Sequence, residues 1–261
     1  MRDAVKLAVG TLSVLPAPMP RKVDRVVAGR AMVLAPVAGL VLGGVAAAVV
    51  AGAAALRPDA PLLAAVLGVL VLVGLSGALH LDGLADTADG LGSRRDREAM
   101  LRIMKQGDVG PFGVAAIVAV LLADVAALAA CVQAGIGWQA LLIAGTASRL
   151  TLTWSCRTGV PAARPDGLGA MVAGTVRSAT AAMATLLAIA FAVALLAVSE
   201  PASSSVRVVI GAVLAVIVPV GVCLALIRRT RGAFGGITGD VLGAGVELGA
   251  TAALLILALA G

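Results

Sequence analysis

Apolar residues in this chain fall in long unbroken runs rather than in the alternating or every-third-and-fourth pattern of a soluble fold. The runs cover about 31–56, 61–80, 111–132, 138–156, 179–199, 206–227 and 240–260. Each approaches the roughly 20 residues that a helix needs to cross a hydrocarbon core. The pattern predicts an all-α, polytopic transmembrane bundle of about seven spans, forming a single integral-membrane domain over residues 1–261. Residues 3–15 read as an amphipathic or interfacial helix ahead of the first span. Leu7–Leu15 is short and Met19–Arg30 is charged, so no cleavable signal peptide is expected. No internal repeat is convincing, which weakens a carrier built from inverted repeats.

Polar positions orient the bundle. The N-terminal segment carries Arg2, Lys6, Arg21, Lys22, Arg25 and Arg30, and the connector 81–110 carries Arg94, Arg95, Arg97, Arg102 and Lys105. Arg157, Arg164 and Arg177 lie in the connector 157–178, and Arg228, Arg229 and Arg231 in 228–239. With seven spans these segments share one face and hold 17 of the 20 basic residues, against Arg57 and Arg207 opposite and Arg149 within a span. Basic connectors stay on the cytoplasmic side, so the N-terminus and the polar motifs are expected there, and the C-terminus outside.

Composition agrees. The chain is 61% hydrophobic and 13% charged, far from the roughly 45–50% and 25% of soluble domains. The small residues that fill its apolar runs let helices approach closely in lipid. A net charge of +6 would suit nucleic acid, but the basic residues sit in short connectors without the aromatic interleaving of a stacking platform. Topology beside anionic lipid explains them, and no nucleic-acid partner is expected. Cys131, Cys156 and Cys223 are far apart, lack metal-ligand spacing, and read as small apolar residues.

The chemistry gathers in the connectors. In His80-Leu-Asp82-Gly-Leu-Ala-Asp86-Thr-Ala-Asp89-Gly-Leu-Gly92, three aspartates recur at i, i+4 and i+7. They share one helix face within about 60°. A solvated charge run would interleave Lys or Arg; this one has none and begins where an apolar run ends. Carboxylates without Cys or further His suit a hard cation, Mg²⁺ or also Mn²⁺. On a continuous helix His80 lies about 160° from Asp82, so it joins the acids only if the helix breaks, with Gly83 as the weak point. The turn Lys105-Gln-Gly-Asp-Val-Gly110-Pro111-Phe-Gly113 offers amides ahead of a helix start, which either hold phosphate or simply turn the chain. Arg164-Pro-Asp166-Gly-Leu-Gly169 and Gly235-Gly-Ile-Thr238-Gly-Asp240 are expected on the same face. Asp240 reads as a ligand or a helix cap, with Glu247 about 10 Å deeper on the same side. Asp124 and Arg149 are intramembrane charges that either pair or leave Arg149 to reach the polar face. Carboxylates, cations and Gly-rich turns around one place suit phosphoryl transfer.

At these residues the chain resembles the cobalamin synthase family (adenosylcobinamide-GDP ribazoletransferase). The stretch His80–Gly92, the block Ile103–Val114, Ser148-Arg149, Ala163–Gly169 and Gly235–Gly243 are similar to that family's blocks, in the same order. The chain departs from the pattern at Gln106 and Asp108, which leaves any phosphate role of that loop to Lys105, and Asp124 matches no motif. The resemblance implies a multi-pass enzyme of the cell inner membrane, its site facing the cytoplasm. Such an enzyme joins adenosylcobinamide-GDP to α-ribazole or its 5′-phosphate with Mg²⁺ and releases GMP. It implies metal on Asp82, Asp86, Asp89 and Asp240, phosphate contacts from Lys105, Arg149 and Arg164, and further substrate contacts from His80, Asp166, Thr238 and Gly110. Contacts with further copies or with neighbouring pathway enzymes are compatible with the basic face.

Two other classes are weighed. A CDP-alcohol phosphotransferase also holds metal on membrane-helix aspartates, but its Asp-Gly-x-x-Ala-Arg opening is missing because Asp86 follows Ala85. A transporter would place its charges near the midplane, whereas most charge here lies in connectors.

Overall fold

The computed structural model describes residues 1–198 and 205–261, and these form eleven α-helices. They are α1 (Arg2–Leu12), α2 (Arg25–Leu56), α3 (Pro61–Ser76), α4 (Leu79–Gly92), α5 (Arg97–Ile103), α6 (Pro111–Gln133), α7 (Gly137–Ser155), α8 (Gly167–Val172), α9 (Ser178–Ala197), α10 (Ser205–Phe234) and α11 (Gly239–Ala260). Local chemistry sets the starts. The Asp24 side chain accepts from Val27 N–H at 2.8 Å and Asp96 from Ala99 N–H at 2.9 Å. Pro61 and Pro111 open α3 and α6, where a missing amide hydrogen costs nothing.

Five helices, α2, α6, α9, α10 and α11, are long and apolar enough to cross a membrane, with a sixth crossing if the α3–α4 pair counts as one broken span. The run read as 138–156 becomes α7, a helix enclosed nearly all round. Its buried Gln139, Thr146, Ser148, Arg149, Thr151 and Thr153 keep it from qualifying on apolarity. The last residue of the run 179–199 lies outside the described residues. Outward faces carry Val37, Leu70, Leu122 and Leu187, each at least half exposed. Water would penalise such a surface and lipid would not.

Tight crossings hold the centre. Gly39 of α2 meets Gly145 of α7 backbone to backbone, so close that any side chain would strike the opposing carbonyl. This is how helices pack where apolar surface gives no driving force.

Two boundaries differ from the hydrophobic pattern. The run 61–80 ends as a helix at Ser76, because Gly77 (φ 60°) and Ala78 (φ 57°) are left-handed and turn the chain by 87° into α4. Leucines continue across this break, so hydropathy alone cannot reveal it. The connector assigned to 228–239 is helical through Phe234, since α10 carries Arg228, Arg229 and Arg231 on two further turns.

Candidate active site

The acidic helix α4 crosses α11 at one point. A Cβ on Gly83 would lie 2.7 Å from the Asp240 carbonyl, and one on Gly243 would lie 3.2 Å from the His80 backbone. Gly83 is therefore not the hinge that the sequence suggested. The helix runs unbroken through it, and its missing side chain lets α11 approach. That crossing places Asp82 and Asp240 in one cavity of about 340 Å³.

The cavity gathers most of the motifs. Lys105, Arg164, Asp166, Thr238 and His80 also line it, and Leu12, Met32, Leu152 and Ile237 form its apolar floor. Three connectors are stitched together beside it. Ala163 N–H donates to Ile237 O at 2.9 Å, Ile237 N–H to Pro161 O at 3.0 Å, and Arg97 Nη2 to Ala163 O at 2.8 Å. Arg164 Nη2 donates to Leu101 O at 2.9 Å while its buried Nε has no partner. Lys105 stands 3.8 Å from Asp166 at the exposed rim, a pair of little energetic weight.

His80 shares the cavity with Asp82 although they point apart along the helix. It sits in the first turn of α4, where the cavity wraps around the helix start; its ring is buried, and Nδ1 has no partner. Thr238 caps α11 by accepting from Val241 N–H at 3.2 Å, and its hydroxyl donates to Asp240 at 3.1 Å. Asp240 is thus relieved of the capping role and turned toward the cavity.

Asp89 is engaged elsewhere. Its carboxylate accepts from Gly110 N–H at 2.7 Å and Gly113 N–H at 2.9 Å, closing the amino end of α6 from another helix. The amides that the sequence offered to a phosphate at Gly110 are satisfied by this acid. Asp86 lies between, on a second cavity of about 620 Å³ that also takes in Arg95, Arg102 and Ser93. Repulsion of Asp86 by Asp240, Asp82 and Asp89 is opposed by Arg164, and Lys105 opposes it at Asp240.

Arg149 is not brought to this cavity. It is buried in α7, where Nη1 donates to Ser148 Oγ at 3.0 Å, and among the described residues no carboxylate lies within 4.0 Å of it. It therefore does not pair with Asp124, and Glu247 is the acid whose charge acts on it.

Among the described residues no three His, Cys, Asp or Glu side chains stand close enough together to hold a metal ion. The donor chemistry still suits one. Asp82 and Asp240 are oxygen donors in one cavity and Asp86 feels the charge of both, while Arg164 and Lys105 supply the nearby positive charge.

Sequence reasoning missed three contributors. Leu12 of α1 and Met32 of α2 form floor that no local motif marks, and Arg97 ties α5 to the connector bearing Arg164. Arg97, like Arg95 and Arg102, was legible only as topological charge.

The sequence profile described as cobalamin-5-phosphate synthase matches residues 4–258. This chain belongs to that family. A relative from Frankia casuarinae named adenosylcobinamide-GDP ribazoletransferase is 42% identical, covering 97% of this chain and 94% of its own. One of the same name from a Nocardioides species is 43% identical over 98% of both chains, and one from Corynebacterium efficiens is 36% identical over 100% of this chain and 92% of its own. No solved structure matches. Every block that carried the resemblance to this family lies inside the matched span, and four of those blocks line the two cavities flanking α4.

Proposed function

We propose that this chain joins adenosylcobinamide-GDP to α-ribazole or its 5′-phosphate and releases GMP, with the transferred phosphate held between α4 and α11. The observation that carries the reading is the single cavity in which Asp82 and Asp240 face Lys105 and Arg164, in a chain of this family. Its volume is at the low end of roughly 300–1,000 Å³ ligand sites. It suits a pyrophosphate and its immediate neighbours and leaves a corrinoid macrocycle outside the mouth.

In the reaction a ribose hydroxyl of α-ribazole attacks the phosphorus nearest the cobinamide. The bond to the bridging oxygen breaks, GMP leaves with the electron pair, and the hydroxyl proton passes to a base. Arg164 and Lys105 hold and neutralise phosphate oxygens as charge shifts to the leaving group. Thr238 orients Asp240, and the stitched connectors fix Arg164 opposite α4. Asp82, Asp86 and Asp240 would hold Mg²⁺, which when bound supplies positive charge to the pyrophosphate oxygens. The basic connectors support a site that faces the cytoplasm.

The test is GMP release by the purified protein in lipid vesicles supplied with both substrates and Mg²⁺, beside substrate uptake by the same vesicles. Mg²⁺-dependent release without uptake is expected. Uptake without release would replace the enzyme by a carrier.

A further inference from the structure

A third polar cavity, of about 630 Å³, opens on the flank formed by α2, α9 and the loop after α8. Arg25, Arg30 and Arg177 line it and no carboxylate does. Among the described residues none of the three is in an ion pair. Arg25 is partly committed: its guanidinium donates to the carbonyls of Ala170 and Ala173. Arg30 and Arg177 are exposed and point their charge at nothing anionic.

The surroundings of this basic cavity are apolar on both sides of α2. Through Val33 and Thr180 it is continuous with a groove of about 600 Å³ between α2 and α9, lined by Val37, Leu40, Met183, Leu187 and Phe191. Through Leu34 it meets a smaller groove of about 170 Å³ between α1 and α2. From Arg30 to Leu40 at 1.5 Å per residue is about 15 Å, half of a hydrocarbon core of about 30 Å. A cationic cup at the bundle end thus leads into two apolar channels, the larger as deep as one leaflet.

We propose that this is a binding site for one anionic phospholipid, its phosphate on Arg30 and Arg177 and its two acyl chains in the grooves flanking α2. Charge complementarity selects the headgroup, since a zwitterionic lipid would bring a cation into a cup that already holds three. The paired grooves select a diacyl lipid over a soluble phosphate. The site also sits close to the acidic cavity: Arg25 holds the end of α8, and Gly167, Leu168 and Gly169 at the start of α8 line that cavity.

Spin-labelled lipids test it directly. The full chain is reconstituted in phosphatidylcholine bilayers with a trace of spin-labelled phosphatidylglycerol or phosphatidylcholine, and the immobilised fraction of each is measured. The wild type should immobilise phosphatidylglycerol in preference. Arg30→Gln with Arg177→Gln should reduce that preference by roughly fivefold for each charge removed. Arg228→Gln with Arg229→Gln removes the same charge from exposed positions outside the cavity and should leave the preference in place. Met183→Trp, which fills the larger groove with every charge intact, should also weaken phosphatidylglycerol retention. A wild type without preference, or equal losses in both double variants, would overturn the assignment. All five substituted positions are exposed, so the variants are expected to fold.

Discussion

Asp89→Asn separates two roles that the acidic helix runs together. Both oxygens of Asp89 accept backbone amides at the start of α6, from Gly110 at 2.7 Å and Gly113 at 2.9 Å. Hydrogen bonds to a charged partner are worth about 1.5–3 kcal/mol each, and a negative charge at a helix amino end adds about 0.3–1 kcal/mol. Asparagine keeps one acceptor but turns an NH₂ group toward the second amide. One bond is lost, one donor is left unmatched near the interior, and the charge disappears, for a cost of about 2–4 kcal/mol. At about 2–4 °C per kcal/mol for a chain of this size, Tm should fall by about 5–15 °C. The assay is thermal unfolding in detergent followed by tryptophan emission, with Asp82→Asn alongside. Asp82 is exposed and makes no capping bond, so its variant should melt within about 2 °C of the wild type. If Asp89→Asn melted normally while its Mg²⁺ requirement rose, the clasp would be dispensable and Asp89 would be a ligand.

Asp82→Asn and Asp240→Asn should each slow GMP release by orders of magnitude, because removing several kcal/mol of charge stabilisation costs about tenfold per 1.4 kcal/mol. Raising Mg²⁺ should recover part of this loss, and no recovery in either variant would place the defect elsewhere. Gly83→Ala should destabilise by about 1–3 kcal/mol and depress turnover, since its methyl group meets the Asp240 carbonyl at 2.7 Å; a normal Tm would refute the crossing as drawn. Cysteines placed at Arg95 and Arg229 should react with an impermeant reagent from one common side and one at Arg57 from the other, with Cys131, Cys156 and Cys223 silent because they are buried. Labelling of positions 95 and 229 from opposite sides would break the topology.

Legibility followed the range of the interaction. The runs 111–132 and 240–260 anticipate α6 and α11 to within a residue, because a span declares itself through every side chain it contains. The i, i+4, i+7 aspartates likewise emerge on a continuous helix. What the acids do was not local information. The partners of Asp89 lie 21 and 24 residues away, and the neighbour that Gly83 must accommodate comes from the last helix. Gly77 and Ala78 break a run whose hydropathy continues past them. Arg149, a strong candidate by motif, lies outside the cavity because α7 is the enclosed helix and hides its polar residues within the bundle.

The 87° turn at Gly77–Ala78 has a consequence for how the acids meet their substrate. Had α3 continued straight, seven residues of rise would have set Asp89 about 10 Å beyond Asp82 along the bundle axis. Folded over, the row runs across the direction of α3 instead of along it, from exposed Asp82 to Asp89 buried at the start of α6. For the proposed reaction this orientation would let a phosphate chain lie along the row without threading lengthwise into the bundle.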